Sequence, residues 1–205
     1  MSNELLTTAP GTRTAARRLY YRKNLSEFFP RELNIRTKGI GIAAFAPNVV
    51  QLPVLQGIER QIKETGKIRQ LWFKCRQPGM STLAAGIVWH KTSMFAGVNS
   101  FIVAQDKTTV SRLFNMHDLF YKKMSADIRP VRRYFTKGTQ ITLGDQEGEG
   151  ITSDLLVGEA KNLNLGVGST IHVLHLSEIT RYPSESALTE SLLPACSDYP
   201  GLSGS

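Results

Sequence analysis

The chain has 205 residues, is 41% apolar and carries a formal net charge of +8. That length supports one domain with a sizeable core and argues against two complete ones, and the charge fits a polyanionic partner, nucleic acid foremost. The longest apolar runs, such as 83–89 and 173–176, stop well short of the roughly 20 residues of a bilayer-crossing helix, so no helical membrane protein is expected. The start, Met1 to Leu6, lacks the basic and apolar stretches of a signal peptide, and Cys75 and Cys196 have no metal-ligand spacing, which points to a reducing, cytoplasmic setting.

Residues 1–40 carry Arg13, Arg17, Arg18, Arg22, Lys23, Arg31, Arg36 and Lys38 against three glutamates. Within them 15–29 reads as a basic helix ended by Pro30, and the segment is expected to be an arm outside the core. Apolar residues Leu52, Leu55, Ile58 and Ile62 recur at helical spacing and predict a helix over 50–65 that stops near Gly66. A buried strand is expected over 69–74, a turn at Gln77-Pro78-Gly79, and an apolar helix over 81–95. The pattern repeats with a strand at 100–104 and a helix over 107–124. Strand and helix in alternation predict an α/β fold with a mostly parallel sheet and right-handed crossovers. A second basic cluster (Lys122, Lys123, Arg129, Arg132, Arg133, Lys137) precedes two neighbouring strands at 140–143 and 154–157. An Asn- and Gly-rich loop over 160–168 then leads into a buried strand at 170–176, which runs into Ser177-Glu178.

Two of these segments carry chemistry. A strand that turns through a glycine loop into a helix aims backbone N–H groups and the positive helix end at one point, where phosphate binds. The standard loop G-x-x-x-x-G-K-[ST] adds a lysine and a metal-binding hydroxyl. Lys74-Cys75-Arg76-Gln77-Pro78-Gly79-Met80-Ser81-Thr82 has Gly79 and Ser81 in place, but Lys74 at the first glycine position and Met80 at the lysine position. Lys74 ends the expected strand, so its side chain reaches phosphates over the loop, and Arg76 adds a guanidinium suited to phosphate oxygens. An ordinary strand-to-helix turn with incidental basic neighbours would satisfy the same residues. The second segment is the strand at 170–176 with its polar end: in phosphate-loop ATPases such a strand ends in acidic residues that hold Mg²⁺ and direct the attacking water. Here Ser177 replaces the usual aspartate and Glu178 stands as the base, although a glutamate capping a following helix fits equally. His90, His117, His172 and His175 give no zinc spacing and read as hydrogen-bonded core or edge histidines.

Together, Lys74-x-Arg76-Gln77-x-Gly79-x-Ser81-Thr82 and Leu174-His175-Leu176-Ser177-Glu178 resemble the N-terminal ATPase of tailed-bacteriophage large terminase subunits, over roughly 52–201. The resemblance implies a P-loop NTPase fold of the RecA/ASCE type, a mostly parallel central sheet flanked by helices, with ATP and Mg²⁺ as cofactors. It makes Lys74 a phosphate ligand and Arg76 a phosphate ligand or sensor of the ATP state. Gln77, Pro78, Gly79, Met80, Ser81 and Thr82 form the phosphate cradle, Ser81 ligates Mg²⁺, Ser177 holds the metal through water, and Glu178 activates the attacking water. An upstream glutamine reads adenine in the family; Gln56 matches best, Gln51 is the rival, and a solvated helix glutamine fits either. Gln105 stands where it could approach the nucleotide or the DNA.

The implied function is ATP hydrolysis coupled to translocation of double-stranded DNA into a procapsid in the host cytoplasm. The implied partners are the portal protein, the small terminase subunit and further copies of the chain in a ring, with an arginine supplied by a neighbour. Arg129, Arg132 and Arg133 are the candidates by charge and position. The implied organisation is an arm at 1–40 and an ATPase domain at 41–205 that stops before the family's coupling motif and its RNase-H-like nuclease, so no nuclease activity is expected. Two other readings stay open: a helicase-like ATPase, and a non-catalytic DNA- or portal-binding module in which Met80 and Ser177 mark a decayed site.

Overall fold

In the computed structural model, residues 10–37, 39, 41–73, 79–144, 150–162 and 170–196 are described. Two helices open the chain, α1 (Pro10–Lys23) and α2 (Leu25–Glu32), followed by an antiparallel hairpin of β1 (Asn34–Thr37) and β2 (Gly41–Ala44). Helices α3 (Gln51–Thr65) and α4 (Met80–Met94) come next, then β3 (Asn99–Ala104), α5 (Lys107–Lys123), β4 (Arg132–Thr136), β5 (Gln140–Leu143), β6 (Ser153–Glu159) and β7 (Val173–Leu176). The last five strands form one mixed sheet in the order β4-β5-β6-β3-β7. Its parallel part is β6-β3-β7, and β5 and β4 extend it in antiparallel fashion. The α/β architecture follows the sequence expectation; the antiparallel extension through β4 does not, because its basic residues hid a strand.

Alternation along the strands divides the core in two. Ile102, Ala104, Ile141, Leu143, Leu155 and Val157 face the five helices in one large cluster. Phe101 and Val103 face the other way, against Ala160, Ile171, Tyr182 and Leu192. Helix α4 is almost wholly buried, its polar residues His90, Lys91, Thr92 and Ser93 included, the signature of a central helix.

The described part of the N-terminal segment, from Pro10 onward, is not an arm. Tyr21, Leu25, Phe28, Phe29 and Leu33 lie in the main core, and Phe29 fits against Gly86 of α4 so closely that a Cβ there would sit 2.6 Å from its ring. The basic residues of α1 serve this docking: Arg18 and Arg22 donate to the carbonyls of Ser93 and Met94 at the end of α4, satisfying groups the helix leaves unpaired. Arg17 joins Glu32, Ser125 and Asp127. Burial alone would lower its pKa, but those acidic partners raise it above the ordinary value. The break between α1 and α2 falls at Asn24, whose side chain donates to Tyr20 O in competition with the helix ladder, and Pro30 lies inside α2 rather than ending it.

Two strand expectations change. Residues 67–73 form no strand, with Leu71 and Phe73 exposed, and the sheet among the described residues ends at β7. The strand expected over 170–176 is only Val173–Leu176 and is half-buried, with β3 its one strand partner among the described residues. A parallel bridge joins Ile171 to Cys196 just before it. No helix among the described residues is long and apolar enough to cross a membrane.

Candidate functional site

Helix α4 fixes one half of the site. Its N-cap is Gly79, at φ 74° in the left-handed region where a side chain is costly, and no side chain among the described residues caps the helix. Thr82 and Leu83 donate back to Gly79 O at 3.0 and 3.1 Å. The N–H groups of Met80 and Ser81 therefore have no acceptor among the described residues, and the first turn holds no acidic residue. This is an anion-accepting geometry. The Met80 side chain, where a standard loop has its lysine, is buried in the core, so the position is an apolar anchor and any phosphate-binding charge must come from elsewhere. Ser81 and Thr82 are half-buried. Lys74, Arg76, Gln77 and Pro78 lie outside the described residues.

Gln51, buried at the start of α3, holds the turn from below. Its Nε2 donates to Gly79 O at 2.8 Å and its Oε1 accepts from Asn48 N at 2.9 Å. Both ends of the amide are thus occupied in supporting the loop. Gln56, the preferred adenine reader, is exposed on the same helix.

The second half lies at the end of β7. Ser177 is buried and its N–H donates to Val103 O at 2.9 Å, continuing the parallel pairing with β3 for one residue. Glu178 then turns into the left-handed region (φ 56°, ψ 48°) and begins a 3₁₀ turn, Ile179–Arg181. It is the one non-glycine residue with positive φ among those described. Such a conformation costs about 1 kcal/mol or more and concentrates at functional sites. Tyr182 braces the corner, its hydroxyl donating to the same Val103 carbonyl at 2.8 Å, and burial pushes its pKa up. Glu178 is half-buried and, among the described residues, its carboxylate pairs with Arg181 at 3.4 Å.

The halves share one edge of the sheet. Thr92 Oγ1 and Ser100 Oγ are 2.7 Å apart, which pins the last turn of α4 to the start of β3. Helix α4 spans about 22 Å and β3 about 20 Å, so the antiparallel helix brings Gly79 to the carboxyl end of the strands, where Ser177 and Glu178 also sit. Ligands of open α/β sheets bind at that edge. Gln105 lies there too, half-buried, with Nε2 on Thr109 Oγ1 at 3.2 Å. So does Glu159, paired with Lys161 at 2.8 Å, which sequence reasoning missed because it ends a strand with no recognisable motif. Asp106 caps α5 beside them, its carboxyl held below the ordinary range by the Thr109 N–H. No cluster of three metal-ligating side chains occurs among the described residues, but Ser81 and Ser177, the donors expected for Mg²⁺, supply hydroxyls rather than such a cluster. A hydroxyl pair with bridging waters suits a hard cation already held by phosphate oxygens.

No protein-family model matches the chain, and no curated protein matches it. Among solved structures it is similar to a mutant large terminase ATPase domain of a Thermus phage, with 17% identity and a TM-score of 0.49 over 58% of this chain. The match takes in 51% of that structure, so the chain spans about half its length.

Proposed function

We infer that the chain is an Mg²⁺-dependent ATPase of the terminase type, a motor domain that moves double-stranded DNA. One pair of observations carries the reading: helix α4 starts at Gly79 with no side-chain cap among the described residues, and a left-handed Glu178 follows the carboxyl end of β7, which runs parallel to β3. In this reading the Met80 and Ser81 N–H groups and the α4 dipole receive the phosphates, with Lys74 and Arg76 supplying positive charge. Mg²⁺, when bound, neutralises charge developing on the transferred phosphoryl group. Ser81 and, through water, Ser177 are the residues that would hold it. Glu178 accepts the proton of the attacking water as its oxygen bonds to the γ-phosphorus and the bond to the β-phosphate oxygen breaks. The Tyr182 hydroxyl, bonded to Val103 O, ties the 3₁₀ turn that follows Glu178 to β3. Portal protein, small subunit and ring assembly on a procapsid belong to the same proposal and rest on the sequence resemblance.

The test is phosphate release and Mg-ATP binding by the wild type and Glu178→Gln. The account expects Glu178→Gln to keep nucleotide binding and to lose at least about 100-fold in turnover, the scale of a general base. A wild-type chain that fails to bind Mg-ATP would overturn it.

A further inference from the structure

The basic cluster between α5 and β5 has a built geometry that the ATPase site does not use. Residues 118–137 hold six cations and two carboxylates. Both carboxylates are engaged: Asp127 by Arg17 of α1, and Asp118 by Lys122 and Arg132 together. Lys123, Arg133 and Lys137 are exposed and have no acidic partner among the described residues. The acidic residues Asp145, Glu147 and Glu149 lie outside those residues.

A β-bulge arranges the cations. Arg132 pairs with Leu143 and Tyr134 with Thr142, so Arg133 is the extra residue. The bulge turns Arg132 inward, where its guanidinium stacks over Phe135 at 4.4 Å and Tyr121 at 4.7 Å, and leaves Arg133 outward on the sheet edge beside exposed Tyr134. The Arg129 guanidinium also lies over Tyr121, 5.5 Å from its ring centre. Stacking orders these guanidiniums in advance of any ligand, which lowers the entropic cost of binding.

We propose that the β4 edge, with the end of α5, is a docking surface for the phosphate backbone of a nucleic acid, contacted by Lys123, Arg133 and Lys137. Charge complementarity selects the occupant: three exposed cations with no acidic partner among the described residues, set along the edge strand β4 and at the end of α5 beside ordered arginines, suit a regularly spaced polyanion. The proposal deepens the motor reading by placing its track, and rests on that reading only for what the contact is used for. A competing account is that edge-strand charges merely prevent sheet-to-sheet association. Charge of either sign does that, whereas only positive charge holds phosphate.

The test is fluorescence anisotropy of a labelled duplex of about 30 base pairs with the full chain, without nucleotide, at about 50 to 200 mM salt. The triple variant Lys123→Glu, Arg133→Glu, Lys137→Glu keeps a charged edge. It is expected to bind at least about ten-fold more weakly and to flatten the log–log salt dependence by about three. The glutamine triple variant should flatten it similarly, and urea unfolding of both verifies that they fold. Unchanged affinity and slope in the folded variants overturns the proposal, as does wild type binding polyglutamate as tightly as duplex. Mg-ATP binding by the wild type, measured in parallel, separates this surface from the ATPase reading, since its absence would sink that reading while leaving the duplex result standing.

Discussion

Replacing Gly79 with alanine probes the loop where backbone geometry and packing meet. At φ 74° an L-residue pays about 1–2 kcal/mol for the left-handed conformation. A Cβ there would also lie 2.7 Å from Gln51 Nε2, too close to coexist. The Gln51 amide must then withdraw from Gly79 O and Asn48 N, and each of those hydrogen bonds is worth about 1 kcal/mol. The sum is a loss of about 3–4 kcal/mol, read by urea unfolding. A double-mutant cycle isolates the contact: with Gln51→Ala already present, Gly79→Ala should cost only the backbone share, leaving a coupling of about 2 kcal/mol. An equal cost of Gly79→Ala in both backgrounds would refute the steric link between α3 and the loop.

Glu178→Gly should raise stability by about 1 kcal/mol by relieving its left-handed backbone while abolishing phosphate release, a trade-off expected where strain serves function. Gly86→Ala should destabilise by about 1–3 kcal/mol in urea despite alanine's better helix propensity, because its Cβ collides with Phe29; a stabilised variant would mean that α2 is not packed there. Burial pushes His90 down to about 3 and His117 down to about 4, so both stay neutral in the fold below the pH at which the unfolded chain protonates them. Their contribution is full above about pH 6.5 and is lost as pH falls toward those values, at up to about 2.7 kcal/mol per unit when both act. Urea midpoints between pH 6.5 and 5 should fall accordingly, and His117→Phe should roughly halve the slope.

Where periodicity and punctuation agree, the sequence is explicit. Helix α3 ends at Gly66, left-handed at φ 69°, and α5 starts on the side chain of Asp106, both within a residue or two of expectation. Helix α4 and β3 are equally legible from their apolar runs. The failures have physical causes. Leu71-Trp72-Phe73 is as apolar as a buried strand, yet a strand needs a neighbour, and none stands beside it among the described residues. Arg132 and Arg133 masked β4 because a bulge lets charged residues alternate off register. The amphipathic faces of α1 and α2 are diluted by arginines that act as caps for another helix, a tertiary role invisible in a helical wheel. At the candidate site, Gly79, Ser177 and Glu178 stand out in the sequence as motif-like residues; the contacts made by Gln51 and Tyr182 do not, since they span 28 and 79 residues of sequence.

Mg-ATP binding by the wild type and Lys74→Ala tests the central claim most directly, because the lysine's displacement from its standard position is what the phosphate-site reading must explain. The account predicts that the wild type binds Mg-ATP and that Lys74→Ala abolishes binding while leaving the urea midpoint unchanged. Equal binding by the two proteins would contradict it.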